Sequence, residues 1–357
     1  MKKHLRPLLP RRLLAAAVPA ALLLAACGGS DDGLPQLSPA TPATLLACTD
    51  LVTKISFPNT TITAATQVTA GTLTVAGKPV PEHCRVTGRM FDRVGPIDGA
   101  KYAIGFEMRL PKNWNGRFFH QGNGGIDGSV GTATGAVNGG GGLTNALNMG
   151  FAVISSDAGH AGSMGPSFGI DPQARLDYGY QAVAKLTPMA KSAIQTAYGK
   201  GPDRSYFGGC SNGGRHSMVA AARAADQYDG FLVGNPGFRL PLAAIANIAG
   251  AQAYNTLAST PGDITTGFTQ AERQLVSKAV LGKCDALDGS TDGLVQDTTA
   301  CQAAFDLNRD VPTCTAGRDG SCLSSAQKTS IAKLFSGATT STGAKVYASF
   351  PFDSGLG

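Results

Sequence analysis

The sequence predicts an α/β protein built on a mainly parallel sheet, followed by a second, lid-like region. Three observations predict it. Strand-like and helix-like segments alternate from about residue 100 to 238. A G-x-S-x-G pentapeptide, Gly209-Cys210-Ser211-Asn212-Gly213, falls between a strand pattern and a helix pattern. After Pro236 the texture changes to loops, four cysteines and Gly/Thr/Ser-rich turns.

Taken in order, the first segment is a leader. MKKHLRPLLPRR is a basic n-region, and LLAAAVPAALLLAA is an apolar run too short and too Pro-interrupted to span a membrane. It ends in Leu24-Ala25-Ala26-Cys27, then GGSDDG. That pattern resembles a bacterial lipobox, with Cys27 as the lipidated first residue of the mature chain; ordinary signal cleavage with Cys27 as a bystander is the alternative. Residues 1–26 are therefore assigned to a lipoprotein signal peptide and 27–47, small, polar and Pro-rich, to a tether. The chain is expected in the bacterial envelope, lipid-anchored to the outer membrane, or secreted. Any membrane contact is expected only through Cys27.

Charge excludes one class of partner. The net charge is +6, but five cationic residues lie in the first twelve positions, which leaves +1 without them. No basic patch remains to bind nucleic acid. With 43% hydrophobic and 15% charged residues in 357, the chain can bury a sizeable core.

The α/β region is assigned to residues 48–238 and the lid to 239–357. ISFPNTTITAATQVTAGTLTVAG alternates and predicts short strands. YAIGFEMRLP and RFFHQGNGG continue as strands around a PKNWNG turn, with Trp114 as a turn-packing residue. FAVISSDAGH is a compact apolar run that predicts a buried parallel strand. YGYQAVAKLTPMAKSAIQTAYG has helical spacing, and Pro188 is expected to kink or split it. RSYFGG predicts a strand, GRHSMVAAARAADQY a helix and DGFLVGNPG a strand. GTATGAVNGGGG (131–142) reads as a flexible loop, since it lacks the register of a dinucleotide fingerprint.

The pentapeptide has the context of a nucleophile elbow. Flanking glycines permit the tight turn, and the serine then stands at a helix N-terminus, where backbone N–H groups favour developing negative charge. Ser211 is the candidate nucleophile. The Asn212 N–H is the expected first oxyanion donor, and Gly124 or Gly125, in the Gly122–Gly125 loop after RFFHQ, the second. A base is harder to find. The order in an α/β-hydrolase is Ser, then acid, then His. Only His216 follows Ser211, and its place in the same helix predicts a surface residue pointing away from the nucleophile. His160 follows a strand but precedes the serine, and reads as a structural loop histidine; Asp157, also upstream, is set aside as a triad acid.

At this point the residues resemble the tannase/feruloyl esterase family of secreted α/β-hydrolases. The matching segments are WNGRFFHQGNGG, GFAVISSDAGH, SYFGGCSNGGRHSMVAAARAADQYDGFLVGNP and KCDALDGSTDGLVQD, over roughly residues 45–357. The resemblance implies an α/β-hydrolase fold with an inserted lid, incomplete at the C-terminus. It implies hydrolysis of aromatic acid esters, feruloyl or galloyl in type, through an acyl-enzyme. In the family the cysteine before the nucleophile is disulfide-bonded to a cysteine just after the catalytic histidine. Cys210 matches the first of these, while histidine, second cysteine and acid are expected beyond the length of this chain. The alternatives are a catalytically dead remnant or binding protein that keeps the fold and, more distantly, a serine peptidase.

Cysteine parity bears on the same point. Apart from Cys27 there are seven, an odd number. By order and by resemblance the pairs are Cys48/Cys84, Cys284/Cys301 and Cys314/Cys322, which leaves Cys210 over. Between Cys284 and Cys301, CDALDGSTDGLVQD spaces Asp285, Asp288 and Asp292 among glycines, and hard oxygens around a turn suit Ca²⁺. By resemblance this is the family's structural calcium loop, with the Ser290 and Leu294 carbonyls completing the shell; a solvated Asp-Gly turn is the alternative. Arg215, matching the family's elbow motif, is expected to pair within the helix-to-sheet packing.

Overall fold

The computed structural model describes residues 38–136 and 141–357. The leader, Cys27 and most of the tether lie outside the described residues, as do four positions of the 131–142 loop. Among the described residues no helix is long and apolar enough to cross a membrane. The chain divides into two compact units, Met1–Gly234 and Asn235–Gly357. The change falls a few residues earlier than the 238/239 boundary read from the sequence.

The first unit is organised by a seven-stranded sheet. Its strands are β1 (Thr60–Val68), β2 (His83–Val94), β3 (Lys101–Pro111), β4 (Arg117–Gly122), β5 (Ala152–Ser156), β6 (Arg204–Cys210) and β7 (Gly230–Gly234). They stand in the order β7-β6-β4-β5-β3-β2-β1. Neighbours from β7 to β5 are parallel, whereas β5-β3, β3-β2 and β2-β1 are antiparallel. The mainly parallel sheet expected from the sequence is thus parallel over only half its width. The reason lies in the connections. β1, β2 and β3 follow one another without an intervening long helix, and antiparallel strands need no crossover.

Side chains alternate across this sheet. Phe106, Met108, Phe118, Ile154 and Phe207 are buried in one layer with Leu186, Met189 and Ile194. Phe119 and Val153 point to the other face, against Leu147 and Ala146. Cys48–Cys84 ties the segment before the sheet to β2. Trp114 is buried, stacks on Tyr198 at 4.5 Å and donates its indole N–H to Arg117 O.

Helix α1 (Ala182–Tyr198) runs through Pro188 unbroken, so the proline does not split it. Ten of its residues, Leu186, Met189, Ala190 and Ile194 among them, are buried. Packing over its whole length outweighs the one ladder bond that proline deletes. The helical irregularity falls earlier, in a π-turn at Asp177–Gln181. Helix α2 (Asn212–Arg223) follows the elbow directly.

The second unit is more helical than its sequence texture suggested. It contains α3 (Leu240–Asn255), α4 (Gln270–Cys284) and α5 (Ser325–Ser336). Thr269 with Glu272 and Ser324 with Gln327 form capping boxes at the starts of α4 and α5. Phe268, Val276, Val280, Phe305, Leu323 and Ile331 belong to its core. Cys284–Cys301 and Cys314–Cys322 staple it. Three disulfides indicate an oxidising, extracytoplasmic compartment.

One close approach in the first unit permits a direct test. A Cβ on Gly209 would stand 2.6 Å from Gly122 O and 2.7 Å from Gly213 Cα, backbone atoms that cannot swing aside. Gly209→Ala is expected to destabilise the protein by about 1–3 kcal/mol in chemical denaturation. A change within experimental error would show that the strand and helix can part.

Candidate active site

Strand β6 delivers Cys210 and Ser211 to the parallel end of the sheet. Ser211 sits at φ 57°, ψ −117°, a left-handed turn that a serine adopts only where surroundings hold it. Two backbone bonds do so. Ser211 N–H donates to Gly234 O at 3.0 Å, and Ser211 O accepts from Arg215 N–H at 3.0 Å. The side chain is exposed at the head of α2.

Three glycines make this geometry possible. Gly209 pairs in register with Gly122 of β4. A Cβ on Gly209 would press into the backbone of both Gly122 and Gly213, one on Gly213 into Gly122 O, and one on Gly122 against Gly213 O and the Phe207 ring. The elbow and the β4 loop can therefore lie almost in contact. Gly124 is near as well, for its Cβ would stand 4.0 Å from Cys210 O. Gly124 and Gly125 are exposed, and Gly125 takes φ 65°. Asn212 is the first residue of α2, so its N–H has no intrahelical acceptor. The elbow residues Cys210–Asn212 thus lie next to the loop after β4 that carries Gly124 and Gly125. That arrangement can present a hydroxyl to a carbonyl carbon and backbone N–H groups to the oxygen.

The described residues supply no histidine hydrogen-bonded to Ser211. His120 is buried, bonds Tyr228 Oη at 3.0 Å and packs on Phe207, and burial pushes its imidazole down to about 3. His83 is buried with Nδ1 on Pro81 O and Nε2 on an Arg109 guanidinium nitrogen. His160 is buried, stacked on Phe168 at 3.7 Å, with no hydrogen-bond partner for either ring nitrogen. His216 corrects the sequence reading. It is buried, and its Nε2 lies 2.7 Å from Asp127 Oδ2. The helix position does point it away from the nucleophile, but into the loop after β4 and not into solvent. Asp127 went unnoticed in the sequence because nothing in the GGIDG stretch marks it as the partner of a residue 89 positions away.

Arg215 bonds Asn212 Oδ1 at 2.7 Å and Tyr178 O at 3.1 Å, and lies 4.4 Å over the Tyr178 ring. Cys210 is unpaired among the described residues. In the second unit, Asp285 Oδ1 accepts from Asp292 N and Gly293 N, Asp288 from Ser290 N and Gln296 N, and Asp292 from Leu294 N. The donor set is all oxygen, as Ca²⁺ requires. Yet the carboxylates are turned onto their own loop, and among the described residues no three such side chains converge on a cation position.

Asp157, at the end of β5, accepts from Gly105 N–H at 3.0 Å and Gly159 N–H at 2.8 Å and makes no bond to His160. Burial pushes its carboxyl up to about 7 despite those bonds, with Asp127 adding repulsion. The folded state therefore favours the protonated form. That contribution is present at acid pH and is lost as pH rises through about 7. Asp157→Asn keeps the neutral acceptor, so its stability relative to wild type should climb by about 1–3 kcal/mol between about pH 4 and pH 8. Denaturation midpoints across that range check it; a pH-independent difference would contradict it.

A family model described as tannase and feruloyl esterase matches residues 84–356. The chain is 39% identical over 325 residues to mono(2-hydroxyethyl) terephthalate hydrolase of Piscinibacter sakaiensis, a match that covers 84% of this chain and 53% of that protein. It is 33% identical over 230 residues to probable feruloyl esterase B-1 of Neosartorya fischeri, covering 64% of this chain and 41% of that one. Among solved structures, feruloyl esterase B from Aspergillus oryzae superposes with a TM-score of 0.67 at 27% identity, over 85% of this chain and 58% of that chain. Tannin acyl hydrolase from Aspergillus niger, with a TM-score of 0.59 at 22% identity over 87% of this chain and 59% of that chain, shares the fold. The fold is that of an α/β-hydrolase. The chain spans about half the length of the curated relatives it matches. It belongs to the tannase and feruloyl esterase family.

Proposed function

We propose that this chain carries the nucleophile and oxyanion hole of a serine carboxylic-ester hydrolase acting on aromatic acid esters. The observation that carries the reading is Ser211, exposed at a left-handed elbow beside the Asn212 N–H and the Gly124–Gly125 loop. The relatives' names, a terephthalate monoester hydrolase and feruloyl esterases, support the aromatic acyl group.

In the proposed reaction Ser211 Oγ attacks the ester carbonyl carbon, and its proton passes to a general base. The carbonyl oxygen becomes an oxyanion held by Asn212 N–H and by Gly124 or Gly125 N–H. The carbon–oxygen bond to the alcohol then breaks, and the alcohol leaves with the base's proton. Water attacks the acyl-serine, the base takes its proton, and the acid is released as Ser211 is restored. The base and its orienting acid are not among the groups bonded to Ser211. They are proposed to come from the part of the family's length that this chain does not span. A binding protein that keeps the fold is the second reading, favoured by the lack of a histidine on Ser211 among the described residues.

Further proposals concern the surroundings. The second unit is the candidate lid. Lipidation at Cys27 would hold the protein at the envelope surface. Ca²⁺ bound by Asp285, Asp288, Asp292 and the Ser290 and Leu294 carbonyls would replace the loop's internal N–H bonds and stabilise that unit.

In the protein extended to the family's full length, which would supply the base, Ser211→Ala should lower turnover of an aromatic ester such as a ferulate by about 10³-fold or more. Equal turnover would remove Ser211 from the chemistry, and no turnover by the extended wild type would favour the binding reading. Calcium at 100 times its Kd should raise stability by about 2.7 kcal/mol, reversed by chelation and absent in Asp288→Ala. An unchanged melting curve would count against the calcium proposal.

A further inference from the structure

Behind the elbow lies a buried polar cluster that the proposed reaction does not use. Asp127 stands at the end of the Gly122–Gly125 loop, in the left-handed conformation at φ 56°, and its N–H bonds Gly124 O at 3.3 Å. Its side chain is 2% exposed and that of His216 4%. A carboxylate only accepts hydrogen bonds. Asp127 Oδ2 accepts from His216 Nε2 at 2.7 Å and from Asn212 Nδ2 at 2.6 Å. The other end of the Asn212 amide, Oδ1, accepts from Arg215 Nε at 2.7 Å and Tyr178 Oη at 3.0 Å.

Every strong bond of the Asn212 side chain is thereby committed. Its amide is clamped between the β4 loop on one side and the π-turn and helix α2 on the other. The backbone N–H of this same residue is the first oxyanion donor, and the loop that carries Asp127 offers the second. The two donors come from segments nearly ninety positions apart, and glycine contacts alone would let them slide. Asp127 and His216 join them through side chains that water does not reach.

We propose that Asp127 and His216 are positioning residues that hold the two halves of the oxyanion hole in register through the side chain of Asn212. The proposal rests on the esterase reading for its catalytic consequence, but the coupling of the two segments does not. His216 orients the Asp127 acceptor. Asp127 fixes Asn212 and its own loop, and neither touches substrate. A loosened clamp would displace donors that must meet the oxyanion within tenths of an ångström.

The test compares wild type, Ser211→Ala, Asp127→Asn, Asp127→Glu and His216→Gln in two measurements. Amide hydrogen exchange followed by mass spectrometry needs no turnover. Asp127→Asn and His216→Gln should speed exchange by about tenfold in the peptides covering Gly122–Gly128 and Ser211–Arg215 together, with α1 unchanged. On an aromatic ester, both should lower kcat by about tenfold to a hundredfold with KM within about twofold, and Asp127→Glu should recover part of the loss. Exchange that rises in one segment only, or in neither, overturns the proposal. So does wild-type kcat in either variant despite raised exchange. The kinetic arm is read in the protein extended to the family's full length; if that wild type turns over no ester, the esterase reading fails by itself, and exchange alone decides whether the clamp exists.

Discussion

The active-site architecture depends on one steric constraint: Gly122, Gly209 and Gly213 let the ends of β4, β6 and α2 approach to backbone contact. With a methyl group at any of the three, the elbow and the oxyanion loop would have to separate. The hydrophobic layers on either face of the sheet bring those strands together, but side-chain burial alone cannot set backbone spacing at this scale. Absence of a Cβ sets it, and the left-handed turn at Ser211 follows from the room left between the strand and the helix.

Polar groups then refine what the glycines permit. Asn212 faces two ways, with its backbone N–H toward the reacting side and its amide into the buried cluster of Asp127, Arg215 and Tyr178. Tyr178 reaches that cluster from a π-turn, an irregularity that often accompanies functional sites. Under the esterase reading this corner of the first unit would receive the oxyanion, while among the described residues no histidine is bonded to Ser211.

Much of this was legible in the sequence, for identifiable reasons. The elbow declared itself because glycine spacing, a preceding strand and a following helix coincide within about fifteen residues. The odd cysteine count left one over, order and resemblance made it Cys210, and the structure leaves Cys210 unpaired among the described residues. Within residues 100–238 the parallel reading missed only the antiparallel pairing of β3, because β-propensity does not encode strand direction. Pro188 does not split α1 because burial along the helix outweighs a local rule. His216 was placed on the surface because helical phase tells which way a side chain points, not what stands there. Its partner Asp127 comes from a distant loop that bears no periodic signal.

The central claim is that Ser211 is a nucleophile held ready at the elbow. Covalent trapping with an aryl fluorophosphonate in the protein extended to the family's full length, which would supply the base, followed by peptide mapping, tests it most directly. The account predicts a single adduct on the peptide containing Ser211, lost in Ser211→Ala and retained when Cys210 is replaced by alanine. An adduct on another residue, or none at concentrations that label serine esterases, would contradict it.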